Sequence, residues 1–302
     1  MSSKPSTVKK EFEKGAFYML LSSVMLSFFT LFAKFGTDST SYFLLILLRF
    51  GIPFLLLTTF FLWTSSFKEL FQNSNIKMQV LRAGCILLYQ YSIFYYLKYA
   101  NLLDATVMQN TAPLLMPVLE RLFFKHRFEK RVLISIGICF AGVLCILQPN
   151  SSIFANLSIA GFLALLGQAG SQVLYGHQAK QENQKSNLFY QFFICSVVSA
   201  IAFLFSNEFL RGENSLEHYT PLLWINIVCL GVASILNQSL RGVAYMHGKA
   251  SALAPFLYVS IIISALLDWA IFHHLPNWLS LVGAILVICG GLVQIYKRKK
   301  SV

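Results

Sequence analysis

Apolar residues along this 302-residue chain gather into runs of about twenty, separated by short polar stretches. The runs fall at approximately 15–34, 42–64, 78–98, 103–124, 131–148, 159–179, 188–206, 221–246, 250–272 and 277–296. A helix needs about 20 residues to cross a hydrocarbon core roughly 30 Å thick, so the pattern predicts ten transmembrane helices. The strongest breaks are Thr64–Ser74, Gln148–Ser158, Lys180–Asn187 and Ser206–Pro221, and none is long enough for a domain. Lys4, Lys9, Lys10 and Lys14 precede the first run. That run is too long for a signal-peptide core and no clean small-residue cleavage site follows it, so it reads as an uncleaved span.

Composition agrees with the pattern. Apolar types make up 56% of the residues against 12% charged, mean hydropathy is +0.63, and there are 28 phenylalanines. A soluble protein of this size cannot hide that much apolar surface. A soluble enzyme, a secreted disulfide scaffold, a nucleic-acid binder and a disordered chain are therefore excluded. The net charge of +12 would suggest a polyanionic partner in a soluble chain, but its placement gives another reason. With a cytoplasmic N-terminus and alternating spans, 20 of the 24 Lys and Arg fall on the cytoplasmic side. Lys34, Lys98 and Arg211 fall outside, and Arg49 lies within a span. This asymmetry orients a protein in a cytoplasmic membrane with both termini inside, its basic side facing anionic inner-leaflet lipids. Trp63, Trp224, Trp269 and Trp278 all fall near predicted span ends, as an interfacial aromatic belt requires.

The chain also repeats. At an offset of 148 residues, Gln90 falls on Gln238, Glu120 on Asp268, His126 on His274 and Gly142 on Gly290. The stretch 134–144 falls on 281–292 with the same rhythm of small residues. Five spans per unit is an odd number, so the second unit enters the membrane upside down relative to the first. The expected fold is an all-α integral membrane protein, with ten helices in two inverted five-helix repeats around a central cavity, the recurrent build of secondary transporters. The repeats are 15–148 and 159–296, with cytoplasmic tails at 1–14 and 297–302.

Three stretches carry a resemblance to a known family. They are FLLILLRFGIPFLLL (43–57), KYANLLDATVMQNTAPLLMPVLERLFFKHRF (98–128) and APFLYVSIIISALLDWAIFHHLPNWLSLVGAILVICGGL (254–292). With Arg49, Ala105, Pro113, Pro255, Tyr258, Pro276, Gly283 and Gly290 in register, the chain resembles the EamA-type members of the drug/metabolite transporter superfamily. The resemblance implies ten helices, two inverted repeats and a central substrate cavity, with amino acids and related metabolites as first substrates. Family members usually carry glutamate where this chain has His126 and His274.

Polar side chains at mid-membrane are costly and should face the bundle interior. Span six carries Gln168, Gln172 and Tyr175 at i, i+4 and i+7, one stripe down one helix face. Span three offers Gln90, Tyr91 and Tyr95, and span four offers Gln109 and Asn110. Span eight adds Ser234, Asn237, Gln238 and Arg241, and span nine adds Tyr258. Amides that both donate and accept, set among aromatic walls, suit a small-molecule substrate. Each amide has a second reading as a helix–helix hydrogen bond. Arg49 could hold an anionic group or snorkel to the headgroups, and Pro113 and Pro255 could expose carbonyls or simply kink their helices.

No Asp, Glu or His lies near a predicted span midpoint, which implies facilitated or exchange transport rather than coupling through a buried carboxylate. The six cysteines (Cys85, Cys139, Cys145, Cys195, Cys229, Cys289) form no CxxC and have no ligand-spaced partners, so neither metal nor cofactor is expected. No GxSxG, HExxH or mid-span aspartate pair marks an intramembrane enzyme. A scaffold without transport activity would be expected to carry a soluble domain. Two solute classes stay open, amino acids and related metabolites or nucleoside-like and cofactor-like solutes such as S-adenosylmethionine. Oligomeric state is not legible.

Overall fold

The computed structural model describes residues 5–64, 75–99, 102–124, 137–138, 141–142, 145, 152–206, 221–248, 250–273 and 277–296. Among them the chain is helical throughout, with no strand. In chain order the helices are α1 (Pro5–Ser39), α2 (Tyr42–Trp63), α3 (Ile76–Tyr99), α4 (Leu102–Phe124), α5 (Ser152–Gln181), α6 (Gln184–Leu204) and α7 (Pro221–His247). A four-residue α8 (Ala250–Leu253) runs through a 3₁₀ turn (Ala254–Tyr258) into α9 (Val259–Phe272), and α10 (Trp278–Tyr296) closes the order. The predicted fifth span, 131–148, lies largely outside the described residues, as do His126 and His274.

Among the described residues, four segments are both long and apolar enough to cross a membrane: Glu11–Thr37, Tyr42–Trp63, Gln184–Leu204 and Pro221–His247. α3, α4 and α5 are long enough but carry more polar residues. α3 buries Gln79, Arg82 and Gln90, and α5 buries Gln168, Gln172 and Gln178. Outward faces are apolar instead. Leu55, Phe60, Ile201, Ile225, Ile262 and Ile285 are each more than half exposed, an arrangement suited to lipid and not to water.

Two differences from the sequence expectation have clear physical causes. Helix α1 begins at Pro5, so the segment 5–14 continues the helix in place of a separate tail. Its early turns reach α7, where Glu11 Oε2 lies 2.6 Å from His247 Nδ1 and the Tyr18 ring stacks on the same imidazole. The predicted span 250–272 is broken at the 3₁₀ turn, where Pro255 has no N–H to give. Carbonyls at the break find hydroxyls on α1. Ser23 donates to Phe256 O at 2.8 Å and Ser27 to Ser260 O at 3.0 Å.

Packing is closest where glycine removes the side chain. A Cβ on Gly167 of α5 would lie 2.6 Å from Tyr89 N and 2.7 Å from Cys85 O of α3. Both obstacles are backbone and cannot turn aside. Gly167→Ala therefore forces α3 and α5 apart, at the roughly 1–3 kcal/mol typical of overpacking. Gly84, with nothing within 4 Å of such an atom, is the control. Thermal unfolding in detergent should show a clear loss of midpoint for Gly167→Ala and none for Gly84→Ala; equal midpoints would refute the close seam.

Candidate functional site

Among the described residues, three arginines lie inside the bundle. Arg49 of α2 is 3% exposed, Arg82 of α3 is 1% and Arg241 of α7 is 2%. A buried cation needs partners, because its desolvation costs several kcal/mol. Arg82 has found neutral ones. Its Nη2 donates to Gln191 Oε1 of α6 at 2.5 Å and its Nη1 to Gln178 Oε1 of α5 at 3.5 Å. Its guanidinium also lies 3.6 Å from the centre of the Tyr175 ring, within reach of a cation–π attraction. Arg49 lies 4.8 Å from the ring centre of Phe29 and 4.3 Å from that of Phe50. Its Nε and Nη1 have no hydrogen-bond partner, nor do Nε and Nη2 of Arg241.

Each pair of these arginines shares a neighbour. The field of Arg49 and Arg241 reaches Tyr89, that of Arg82 and Arg241 reaches Tyr175, and that of Arg49 and Arg82 reaches Cys195. Gln90, fully buried on α3 one residue from Tyr89, has neither its oxygen nor its nitrogen bonded. An unpartnered amide inside a bundle is expensive. Its place one residue from Tyr89, which the charges of Arg49 and Arg241 reach, marks this region as the place to look for a ligand.

The predicted residues divide into groups. Gln168, Gln172 and Tyr175 all turn inward from α5 and are buried, as their spacing implied. Gln172 accepts from Tyr245 OH at 3.0 Å, and Tyr175 OH donates to Gln238 O at 3.0 Å, tying α5 to α7. Gln238 meets the cluster through its backbone, and its side chain is half-buried. Asn237 makes a helix–helix bridge: its Nδ2 donates to Ser22 O at 2.7 Å and Ser22 Oγ donates back to Asn237 O at 3.2 Å. Gln109 donates to Thr30 Oγ1 at 3.3 Å and keeps a free oxygen. Tyr258 is buried at the foot of the helix break. Tyr91 is half-buried against Tyr42 and Phe43. Tyr95 stands apart on the exposed face of α3 against Tyr99, because five residues beyond Gln90 is most of half a turn away from it. The side chains of Asn110, Pro113, Glu120 and Pro255 lie outside the described set.

Sequence reasoning missed the Arg82 hub, since an arginine six residues into α3 looks like a flank of the span. Asp268, four residues from the end of its predicted span, is also buried, at 4% exposed. The serines of α1 were missed as well. Ser22, Ser23 and Ser27 share the face that reaches α7 and the helix break, and their spacing was the available signal.

Comparison with known proteins now bears on this site. The family model described as "EamA-like transporter family" matches twice, over residues 13–148 and 156–296. The chain belongs to the EamA-like transporter family. Among curated relatives, the pseudopaline exporter CntI of Pseudomonas aeruginosa PAO1 is 23% identical over 76% of this chain and 78% of its own. The S-adenosylmethionine uptake transporter of Rickettsia bellii is 26% identical over 97% of each chain. That of Rickettsia felis is 25% identical over 78% of this chain and 76% of its own. A solved crystal structure superposes with a TM-score of 0.66 at 17% identity, covering 94% of this chain and 97% of its own, which supports the fold. This EamA-like transporter is thus a multi-pass membrane protein.

Within this EamA-like transporter the cluster and the lipid face should respond differently to substitution. Arg82→Met leaves Gln178 and Gln191 without their donor, each a loss of about 1–3 kcal/mol. Tyr95→Ala removes a ring from an exposed face. In detergent, Arg82→Met should lower the unfolding midpoint by several degrees or abolish a monodisperse peak, while Tyr95→Ala stays near wild type. A wild-type midpoint for Arg82→Met would contradict the hub.

Proposed function

We propose that this chain is a secondary transporter carrying a small amino-acid-derived metabolite across the cytoplasmic membrane. It works by alternating access of two inverted five-helix repeats, 15–148 and 159–296. The two family matches, one per half, support this reading. So does the packing. α1 lies along α7, and α5 lies along α3. The first helix of each half thus meets the third helix of the other, an exchange that a two-fold relation between the halves would produce. α2 and α6, the second helix of each half, pack on one another. Lys and Arg placement supports cytoplasmic termini, and the burial of Arg82 and Arg241 leaves that asymmetry standing.

The observation that carries the site is Gln90, enclosed with both ends of its amide unsatisfied, one residue from Tyr89 on α3. Such a group offers a donor and an acceptor to a solute within an aromatic setting. In the enclosed conformation the cluster meets neither side of the membrane. Rocking of one repeat against the other opens it to each side in turn. Substrate biases that equilibrium only through its differential affinity for the states.

S-adenosylmethionine joins an amino acid to a nucleoside and is the substrate named for two relatives, so it is the first solute to test. In proteoliposomes preloaded with unlabelled S-adenosylmethionine, labelled solute should accumulate by counterflow. Gln90→Leu should cut the initial rate at least tenfold while remaining monodisperse. Wild-type exchange in Gln90→Leu would remove it from the pathway. Absence of counterflow for S-adenosylmethionine and for a full amino-acid panel would sink the substrate reading.

A further inference from the structure

The hydrogen-bond inventory of the arginine cluster is unbalanced in one direction. Arg49 and Arg241 each leave two nitrogens unpartnered and Arg82 leaves Nε. By giving their oxygens to Arg82, Gln178 and Gln191 are left with unpartnered Nε2 groups, so the positive end of each amide is what remains. Against these donors, the unpartnered amide oxygens are those of Gln79, Gln90, Gln109 and Gln184. Among the described residues, no carboxylate forms an ion pair with any of the three guanidinium groups. Glu182, whose field reaches Arg82, is already engaged by Gln79 Nε2 at 2.6 Å. Three permanent charges with spare N–H groups and no counter-ion among the described residues describe half of a binding site.

We propose that Arg49, Arg82 and Arg241 form an anion cradle that receives the carboxylate of the transported solute, with Arg241 as its principal ligand. The inference rests on the transporter reading above and adds the chemical class of the substrate to it. Arg241 leads because its free atoms, Nε and Nη2, lie side by side along one edge of the guanidinium. That edge matches the two oxygens of a carboxylate. Arg82 is fixed by two amides and a ring, so it supplies field more than contact. Arg49 backs the cradle from α2, its charge resting on two phenyl rings. Because the arginines come from α2, α3 and α7, an anion among them also draws together helices from both halves of the chain.

Thermal unfolding of the protein in lipid nanodiscs, titrated with two matched pairs of probes, tests the cradle. One pair is S-adenosylmethionine and its decarboxylated analogue; the other is glutarate and glutaramide, at low millimolar concentration and constant ionic strength. The carboxylate member of at least one pair should stabilise with an apparent Kd at least tenfold tighter than its partner. Arg241→Gln should weaken that Kd at least tenfold. Arg241→Lys, which keeps the charge but loses the two-pronged edge, should weaken it at least fivefold and decides the matter if Arg241→Gln does not fold. Equal stabilisation by both members of each responding pair, or a wild-type Kd in the Arg241 variants, overturns the cradle and leaves the transporter reading intact. A response to glutarate with silence from both adenosyl compounds supports the cradle and removes S-adenosylmethionine as substrate. Silence from all four probes overturns the cradle.

Discussion

A charge placed inside a membrane protein must be answered by the protein itself, and Arg82 shows how much structure one answer requires. Its guanidinium takes an amide oxygen from α5, another from α6 and the face of Tyr175. Tyr175 in turn donates to the α7 backbone at Gln238, and Gln184 at the start of α6 donates to Ser239 one residue on. Gly242 makes that approach possible, because a Cβ there would lie 2.2 Å from both the Tyr175 hydroxyl and Gln184 Nε2. Four helices are therefore placed relative to one buried cation. Removing the cation would leave a set of polar groups that only water could satisfy, at a depth where water is scarce.

The same rule shapes the other side of the bundle with neutral groups. Helix α1 carries small hydroxyl residues where α7 and the 3₁₀ turn press on it. Ser22 exchanges hydrogen bonds with Asn237, and Ser23 and Ser27 answer carbonyls near the break. Each such bond in a membrane contributes about 0.6–2 kcal/mol. Their shared use is to let a helix lose its regular ladder at Ala254–Tyr258 without leaving the carbonyls bare. Lys34 does a similar service at the far end, donating to Leu97 O at 2.9 Å in the last turn of α3.

How much of this is legible in the sequence depends on what each residue has to signal. Apolar runs announce helices because length and lipid leave no other arrangement, and the described helices begin and end within a few residues of the runs apart from the starts of α1 and α5. The span-six stripe was readable since Gln168, Gln172 and Tyr175 recur at i, i+4 and i+7 and so share one face. Arg82 was not, because a cation near a span end belongs equally well to headgroups or to a core, and only the presence of Gln178 and Gln191 across the gap decides between them. Tyr95 was misplaced because tyrosine carries the same two-sided character at a lipid face as in a cavity. The serines of α1 gave the weakest sign of all. Their partners are backbone carbonyls, which every residue possesses and no sequence pattern advertises.

The contact at Gly167 has a mechanical consequence. Where one helix rests on another through side chains, rotamers give the joint some slack, and the pair can slide or tilt by small repacking. At Gly167 the α5 backbone meets the α3 backbone at Cys85 and Tyr89 with nothing between. A joint of that kind has no play in it. Arg82 and Tyr175, on either side of the same seam, keep their spacing, and the seam acts as a fixed pivot between the two halves. Any motion that opens the interior turns about that point and is taken up at other joints, where side chains intervene and the helix is already broken.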